Sequence, residues 1–270
     1  MRLGLGSFAY AWSVGVGEHV PREPLTALGL VKEAAKLGVR LVQIGDNLPL
    51  HTLEDDALDA LTARAQALDV ALQVGARGSD PELLRRYLDL ATRLGSPIVR
   101  TVIDTATHQP TLEEVQTLWR PLLPAYEERG VVLAVENHDR FQVRELVRLM
   151  QCLDSSAIGI CLDTVNSFGA LEGPEVVVSI LAPWTVNLHV KDFTISRANH
   201  NMGFVVEGCP VGQGLLDVPW LLDLLRAHGR DVDAIIELWP ASEPTSEATM
   251  AKERRWAMES VRYMRGLLTG

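Results

Sequence analysis

Cysteine is scarce. The three in 270 residues (Cys152, Cys161 and Cys209) are widely spaced, odd in number and form no C-x-x-C pair, which excludes a disulfide framework. Positive charge is also in deficit, with 25 Lys+Arg against 35 Asp+Glu and a formal charge of −10. Tight nucleic-acid binding needs a dense basic field to replace counterions, so this balance speaks against such a partner. Long apolar runs are missing too. The longest charge-free one, 176–190, is too short for a bilayer and is interrupted by Pro183 and Asn187. The first residues are too briefly apolar and too glycine-rich for a secretory segment. No Ser-His-Asp signature and no dinucleotide fingerprint is found, and Gly212-Gln-Gly214 lacks the Lys-Ser/Thr continuation of a phosphate loop. The expectation is a cytoplasmic protein with no membrane partner.

What the sequence does have is enough apolar material, 47%, for a sizeable core. Short apolar runs alternate with stretches of helical period from end to end. The runs at 3–9, 39–44, 70–74, 98–103, 131–136, 158–162, 185–190 and 234–238 are mostly continuous and not alternating, as parallel strands buried on both faces require. Between them, Leu84, Tyr87, Leu88, Ala91 and Leu94 mark one helical stripe. Asp80-Pro81 reads as an N-cap followed by proline in the first turn, and Thr111 with Glu114 as a capping box. Gly38, Gly95, Gly130 and Gly229 fall where helices should stop, and Pro121 and Pro124 should split the helix containing Trp119.

Eight strand–helix pairs predict a single (β/α)8 TIM barrel domain spanning 1–270, with a doubly wound open sheet as the competitor. Three connections, 10–23, 193–216 and 239–246, are long, and all follow a strand. Such loops lie on the face where barrel chemistry occurs. The middle one is expected to be an irregular lid, with Gly203, Gly208, Gly212 and Gly214 as hinges.

The polar residues fall at the strand ends. The last four apolar runs deliver Glu136, Asp163, His189 and Glu237 in turn, side by side on one half of a barrel rim. A lone strand-end carboxylate is usually a cap or half of an ion pair. Three buried together repel strongly unless a cation compensates them or protons bind. Three carboxylates and one imidazole suit one divalent ion such as Mn²⁺, Mg²⁺, Co²⁺ or Zn²⁺.

Glu136 in "AVENHD", Asp163 in "GICLDTVNS", His189 in "NLHVKDF" and Glu237 in "IIELWP" resemble the xylose-isomerase-like TIM barrels, the sugar isomerase/epimerase superfamily. The resemblance covers essentially the whole chain. It implies that these four residues hold one metal and that Glu136 and Glu237 double as catalytic acid/base groups acting through a cis-enediolate. The implied activity is isomerisation or epimerisation of a small keto sugar or sugar acid, and the missing phosphate loop predicts that it is unphosphorylated. Many relatives are oligomers, so a homo-oligomer is a further implication. Three residues after Asp163, where many epimerases of the family have histidine, this chain has Asn166. The departure speaks against direct transfer of the epimerase mechanism and against the DNA-repair endonuclease branch. The stretches "VKDF" and "MGFVVEGCPVGQG" also resemble the 3-oxo-isoapionate decarboxylase branch, which implies an alternative, a metal-dependent sugar-acid lyase. A catalytically silent sugar-binding barrel is the third possibility.

Further candidates for substrate contact are His138 and Lys191, which share the strand parity of Glu136 and His189, together with Asn166. Arg77 and Arg100, at the third and fourth strands, are candidates for a substrate carboxylate or for structural ion pairs. Arg197 is a lid candidate. Trp12, Phe204 and Trp239, with Phe8 and Tyr10, offer an apolar wall for a sugar's carbon face. Cys161 reads as packing beside Asp163.

Overall fold

The eight apolar runs become eight parallel strands that close on themselves in the computed structural model, which describes residues 1–268. In chain order these are β1 (Leu3–Gly6), β2 (Leu41–Ile44), β3 (Ala71–Arg77), β4 (Ile98–Val102), β5 (Val132–Glu136), β6 (Ile158–Asp163) and β7 (Thr185–Val190). An antiparallel pair, β8 (Asp192–Arg197) and β9 (Phe204–Cys209), follows, and β10 (Ala234–Ile236) closes the ring between β7 and β1. The open-sheet alternative is therefore excluded, and the fold is a (β/α)8 TIM barrel. Both faces of the strands are buried: β2, β4 and β6 expose no residue. That is why their sequences run apolar without alternation.

The helix punctuation behaves as its chemistry dictates. Asp80 accepts from the amides of Glu82 and Leu83, and Thr111 and Glu114 form the reciprocal capping box. The four predicted stop glycines all adopt left-handed backbone, with φ between 63° and 69°. The proline pair divides its helix into Leu112–Trp119 and Leu123–Arg129.

Three expectations need correction. The first strand stops at Gly6, and the 10–23 connection begins with a helical turn, Ala11–Val14. On the last helix, Ser246–Leu268, the apolar stripe Met250, Ala257, Val261, Met264 and Leu268 predicts Arg254 on the same face, but Arg254 is exposed and Glu253, with Thr249 and Ser260, is turned inward. The segment 193–216 is not irregular, since most of it forms a β-ribbon, β8 paired with β9. Its glycines are mostly packing sites. A Cβ on Gly208 would lie 2.8 Å from Trp239, and one on Gly212 would lie 2.4 Å from the Tyr263 ring. The ribbon's base is fixed by the buried Asp192 carboxylate, which accepts from the amides of Phe193, Gly212, Gly214 and Leu216 at 2.8–3.0 Å.

Inside the barrel the side chains form layers. Ile98, Ala134 and Cys161, with Val132 and Val186, make one apolar cluster. Gln43, Gln73 and Asn187, all buried, form a layer of amides joined by hydrogen bonds. The carboxylates and the imidazole top this layer at the C-terminal ends of the strands. No helix of the described residues is long and apolar enough to cross a membrane.

Candidate active site

His189 is the centre. Its ring is fully buried, with Nε2 2.6 Å from Gln43 Oε1. Its other nitrogen, Nδ1, lies 3.3 Å from Glu136 Oε2, 3.5 Å from Glu237 Oε1 and 3.7 Å from Asp163 Oδ2. The four strand-end residues thus converge on one point, as the parallel register of β5, β6, β7 and β10 requires. Gly6 on the neighbouring β1 admits Glu237, since a Cβ there would come within 2.9 Å of Glu237 Cγ.

Each carboxylate is oriented by specific partners. Asp163 Oδ1 accepts from the amides of Val165 and Asn166, both at 2.8 Å. Asn137 braces the same turn, donating to the Asp163 carbonyl and accepting from its amide. Glu136 has both oxygens engaged. Oε1 accepts from Asn166 Nδ2 at 2.7 Å, and Oε2 accepts from Arg100 Nε. The same guanidinium donates through Nη1 to Asp46 Oδ1 at 2.7 Å. Lys191 Nζ lies 2.8 Å from Asp163 Oδ2, 3.0 Å from Glu237 Oε2 and 3.2 Å from Asn166 Oδ1.

The charges settle each other. Burial pushes the Asp163 carboxyl up, but Lys191 and His189 outweigh it and hold it well below the usual range. Glu136 behaves alike, with Arg100 and then His189 overcoming burial. Burial disfavours the charged forms of Lys191 and Arg100, yet the facing carboxylates keep both protonated well beyond neutrality.

The residues present fit a divalent cation. Asp163 Oδ2, His189 Nδ1 and Glu237 Oε2 are buried without a hydrogen bond of acceptable geometry, although Lys191 stands close to two of them. Donor atoms of Asp163, His189 and Glu237 lie within 4.8 Å of one another, and so do those of Glu136, Cys161 and His189. Four carboxylates (Asp46, Glu136, Asp163, Glu237) face two fixed cations (Arg100, Lys191), an imbalance of two that a divalent ion cancels.

Other expected residues divide. Asn166, Lys191 and Arg100 join the cluster. Arg77 closes β3 two residues after the inward-facing Gly75, half-buried, and among the described residues its side chain has no ion pair. His138 is turned to the rim, its Nδ1 3.0 Å from Asp139. Trp12 Nε1 donates to the Pro240 carbonyl at 2.9 Å, and Trp239 packs on Gly208. Arg197 stacks 4.3 Å over Phe204 on the exposed ribbon, and neither bonds to the cluster. Gln43, Asp46 and Asn137 are the functional residues missed from sequence. Asp46 was open to the strand-end rule, since it lies two residues beyond the end of β2. A surface cleft of about 610 Å³ beside Pro174 and Trp220 lies on the outer wall and contains none of these groups.

The xylose isomerase-like TIM barrel family matches residues 31–266. The chain belongs to that family. Among xylose isomerase-like barrels, it is 34% identical to the 3-oxo-isoapionate decarboxylase of Pectobacterium atrosepticum over 264 residues, 98% of this chain and 95% of that one. The fold also superposes on a xylose isomerase-like TIM barrel protein from Mycobacterium smegmatis, solved in complex with magnesium (TM-score 0.72, 14% identity, 96% of each chain). A D-psicose 3-epimerase from Clostridium cellulolyticum H10, solved with D-tagatose, gives a TM-score of 0.73 at 17% identity over 99% of each chain. At those identities the two structures speak for the fold alone.

Proposed function

We propose that this xylose isomerase-like barrel is a metal-dependent decarboxylase of a 3-oxo sugar acid. The observation that carries the reading is the 34% identity to a 3-oxo-isoapionate decarboxylase along nearly the whole of both chains. The geometry supports it over the isomerase or epimerase expected from the strand-end motif. Epimerisation needs two bases that trade a proton across one carbon. Glu136 has both oxygens engaged, by Asn166 and Arg100, and is poorly placed for that trade. Loss of CO₂ needs no base to break the bond and only one proton afterwards.

Glu136, Asp163, His189 and Glu237 would hold one divalent ion, with Mn²⁺ and Mg²⁺ matching the oxygen-rich donor set. When bound, the ion supplies positive charge beside an oxygen that gains an electron pair. The chain's own residues do the rest. Arg77, at the end of β3 and without an ion pair among the described residues, binds and orients the acid. Asn166 and Lys191 face the hydroxyl and carbonyl oxygens. The bond to the carboxylate carbon breaks, its electron pair passes into the adjacent carbonyl as an enolate, and CO₂ leaves. Lys191 Nζ, the nearest ammonium to the carboxylate cluster, returns one proton to the carbon, and a proton from solvent restores the lysine.

The test is incubation with 3-oxo-isoapionate and Mn²⁺ in deuterated water. Release of CO₂ with one deuteron in the product is expected. Deuterium exchange into D-psicose or D-tagatose without carbon loss would replace this reading with the epimerase.

A further inference from the structure

Beneath the metal-ligand candidates, the barrel's amide layer has a direction. His189 Nε2 meets Gln43 Oε1 at 2.6 Å. Gln43 Nε2 donates to Gln73 Oε1 at 3.0 Å and to Asn187 Oδ1 at 2.9 Å. Asn187 Nδ2 donates to Gln73 Oε1 at 3.2 Å, and Gln73 Nε2 donates to Asp233 Oδ2 at 2.8 Å. Asp233 is clasped by Arg2 through two hydrogen bonds on the underside of the barrel. A carboxylate can only accept, so this terminus fixes which way Gln73 points. With Gln73 fixed, turning either Gln43 or Asn187 over would bring donor against donor or acceptor against acceptor in a buried layer.

We infer that Gln43 is a positioning residue for His189. Its oxygen, presented upward by the amide chain that ends at Asp233, keeps one proton on Nε2, so that Nδ1, which faces the three carboxylates, is the nitrogen that gives up its proton to them or to solvent and offers its lone pair when an ion binds. The neutral imidazole has one donor and one acceptor nitrogen, and the partner of one decides the role of the other. Three polar side chains in the bore, where leucine or valine would pack without cost, have a purpose on this account. The sequence carries the signal as lone amides inside the strand runs "LVQI", "ALQV" and "TVNL". The inference rests on the metal-dependent reading given above.

Gln43→Met removes the acceptor at similar volume, with Gln43→Leu as a second acceptor-free variant should the first not fold. Gln43→Glu keeps an acceptor. Two readouts are taken beside the thermal midpoint: Mn²⁺ affinity by titration calorimetry, and the Nε2–H proton resonance of His189 in ¹⁵N-histidine-labelled protein. The wild type and Gln43→Glu should show a downfield, exchange-protected resonance and similar affinity. Gln43→Met should lose the resonance and bind Mn²⁺ about tenfold more weakly. Retention of both by Gln43→Met overturns the inference. So does an equal loss in a Gln43→Glu variant of wild-type stability, or a loss that only follows the midpoint. A wild type that binds no Mn²⁺ defeats the metal-dependent reading instead, and the resonance, present with or without the ion, then decides the role of Gln43.

Discussion

Arg100 on β4 donates through Nε to Oε2 of Glu136 at the end of the neighbouring β5, while its Nη1 holds Asp46 at 2.7 Å. One guanidinium thus ties the β2 end to the β5 end and keeps the first carboxylate of the cluster aligned and anionic. Both partners of the Glu136 pair are buried, with side chains 4% and 0% exposed. Arg100→Met leaves two carboxylates without their cation, and breaking a buried pair from one side costs about 3–5 kcal/mol. Denaturant unfolding should show a loss of that order. Arg100→Lys, which cannot bridge both acids in the same fork geometry, should fall between the two.

Divalent ions should stabilise the fold. Three buried donor atoms without good hydrogen bonds gain partners when an ion binds, so Mn²⁺ at a hundred times its dissociation constant should add about 2.7 kcal/mol. Scanning calorimetry with EDTA and with Mn²⁺ measures it. Asp163→Asn and Glu237→Gln should each abolish most of the difference.

Arg77 makes a kinetic prediction. It stands apart from the cluster and has no ion-pair partner among the described residues, so its contact with an acid substrate is made before and during reaction alike. Arg77→Met should raise KM about tenfold or more and leave kcat within a few-fold. A fall in kcat alone would remove Arg77 from substrate binding.

The strands and caps were legible because they depend on local chemistry: parity of apolar residues, proline after an N-cap, glycine where a helix ends. The site was half legible for the same reason. Glu136, Asp163, His189 and Glu237 each stand at the end of an apolar run, whereas what Arg100 pairs with is decided by residues 36 and 54 positions away. Gln43 and Asn187 stand as single amides inside apolar runs, and only closure of the barrel brings them together. The ribbon was missed by weighing glycine over β-propensity. "DFTISR" and "FVVEGC" are two strand-like runs flanking a turn, but their exposed valines and isoleucine resembled no core strand.

Glu253 makes a prediction about pH. Its carboxylate, buried on the last helix, accepts from the amides of Trp12 and Ser13 and from the Ser13 hydroxyl, so it anchors the first long connection. Burial pushes its carboxyl up to about 7, against the opposing pull of those hydrogen bonds. The folded chain therefore holds this proton more tightly than the unfolded chain. The contribution is full below about pH 4.5 and is lost as pH rises through about 7, a change of roughly 3 kcal/mol. Melting temperatures between pH 4.5 and 8 should show that decline in the wild type and a flatter profile in Glu253→Gln, whatever its baseline stability.

Asp192 has a consequence for engineering. Both roots of the β8–β9 arm are clipped to one carboxylate, which insulates the strand ends from whatever happens at the arm's tip. Extra residues spliced between Asn201 and Met202, or an exchanged tip from another relative, should leave barrel assembly intact, making this tip the place to graft an affinity handle or a reporter without disturbing the chemistry below.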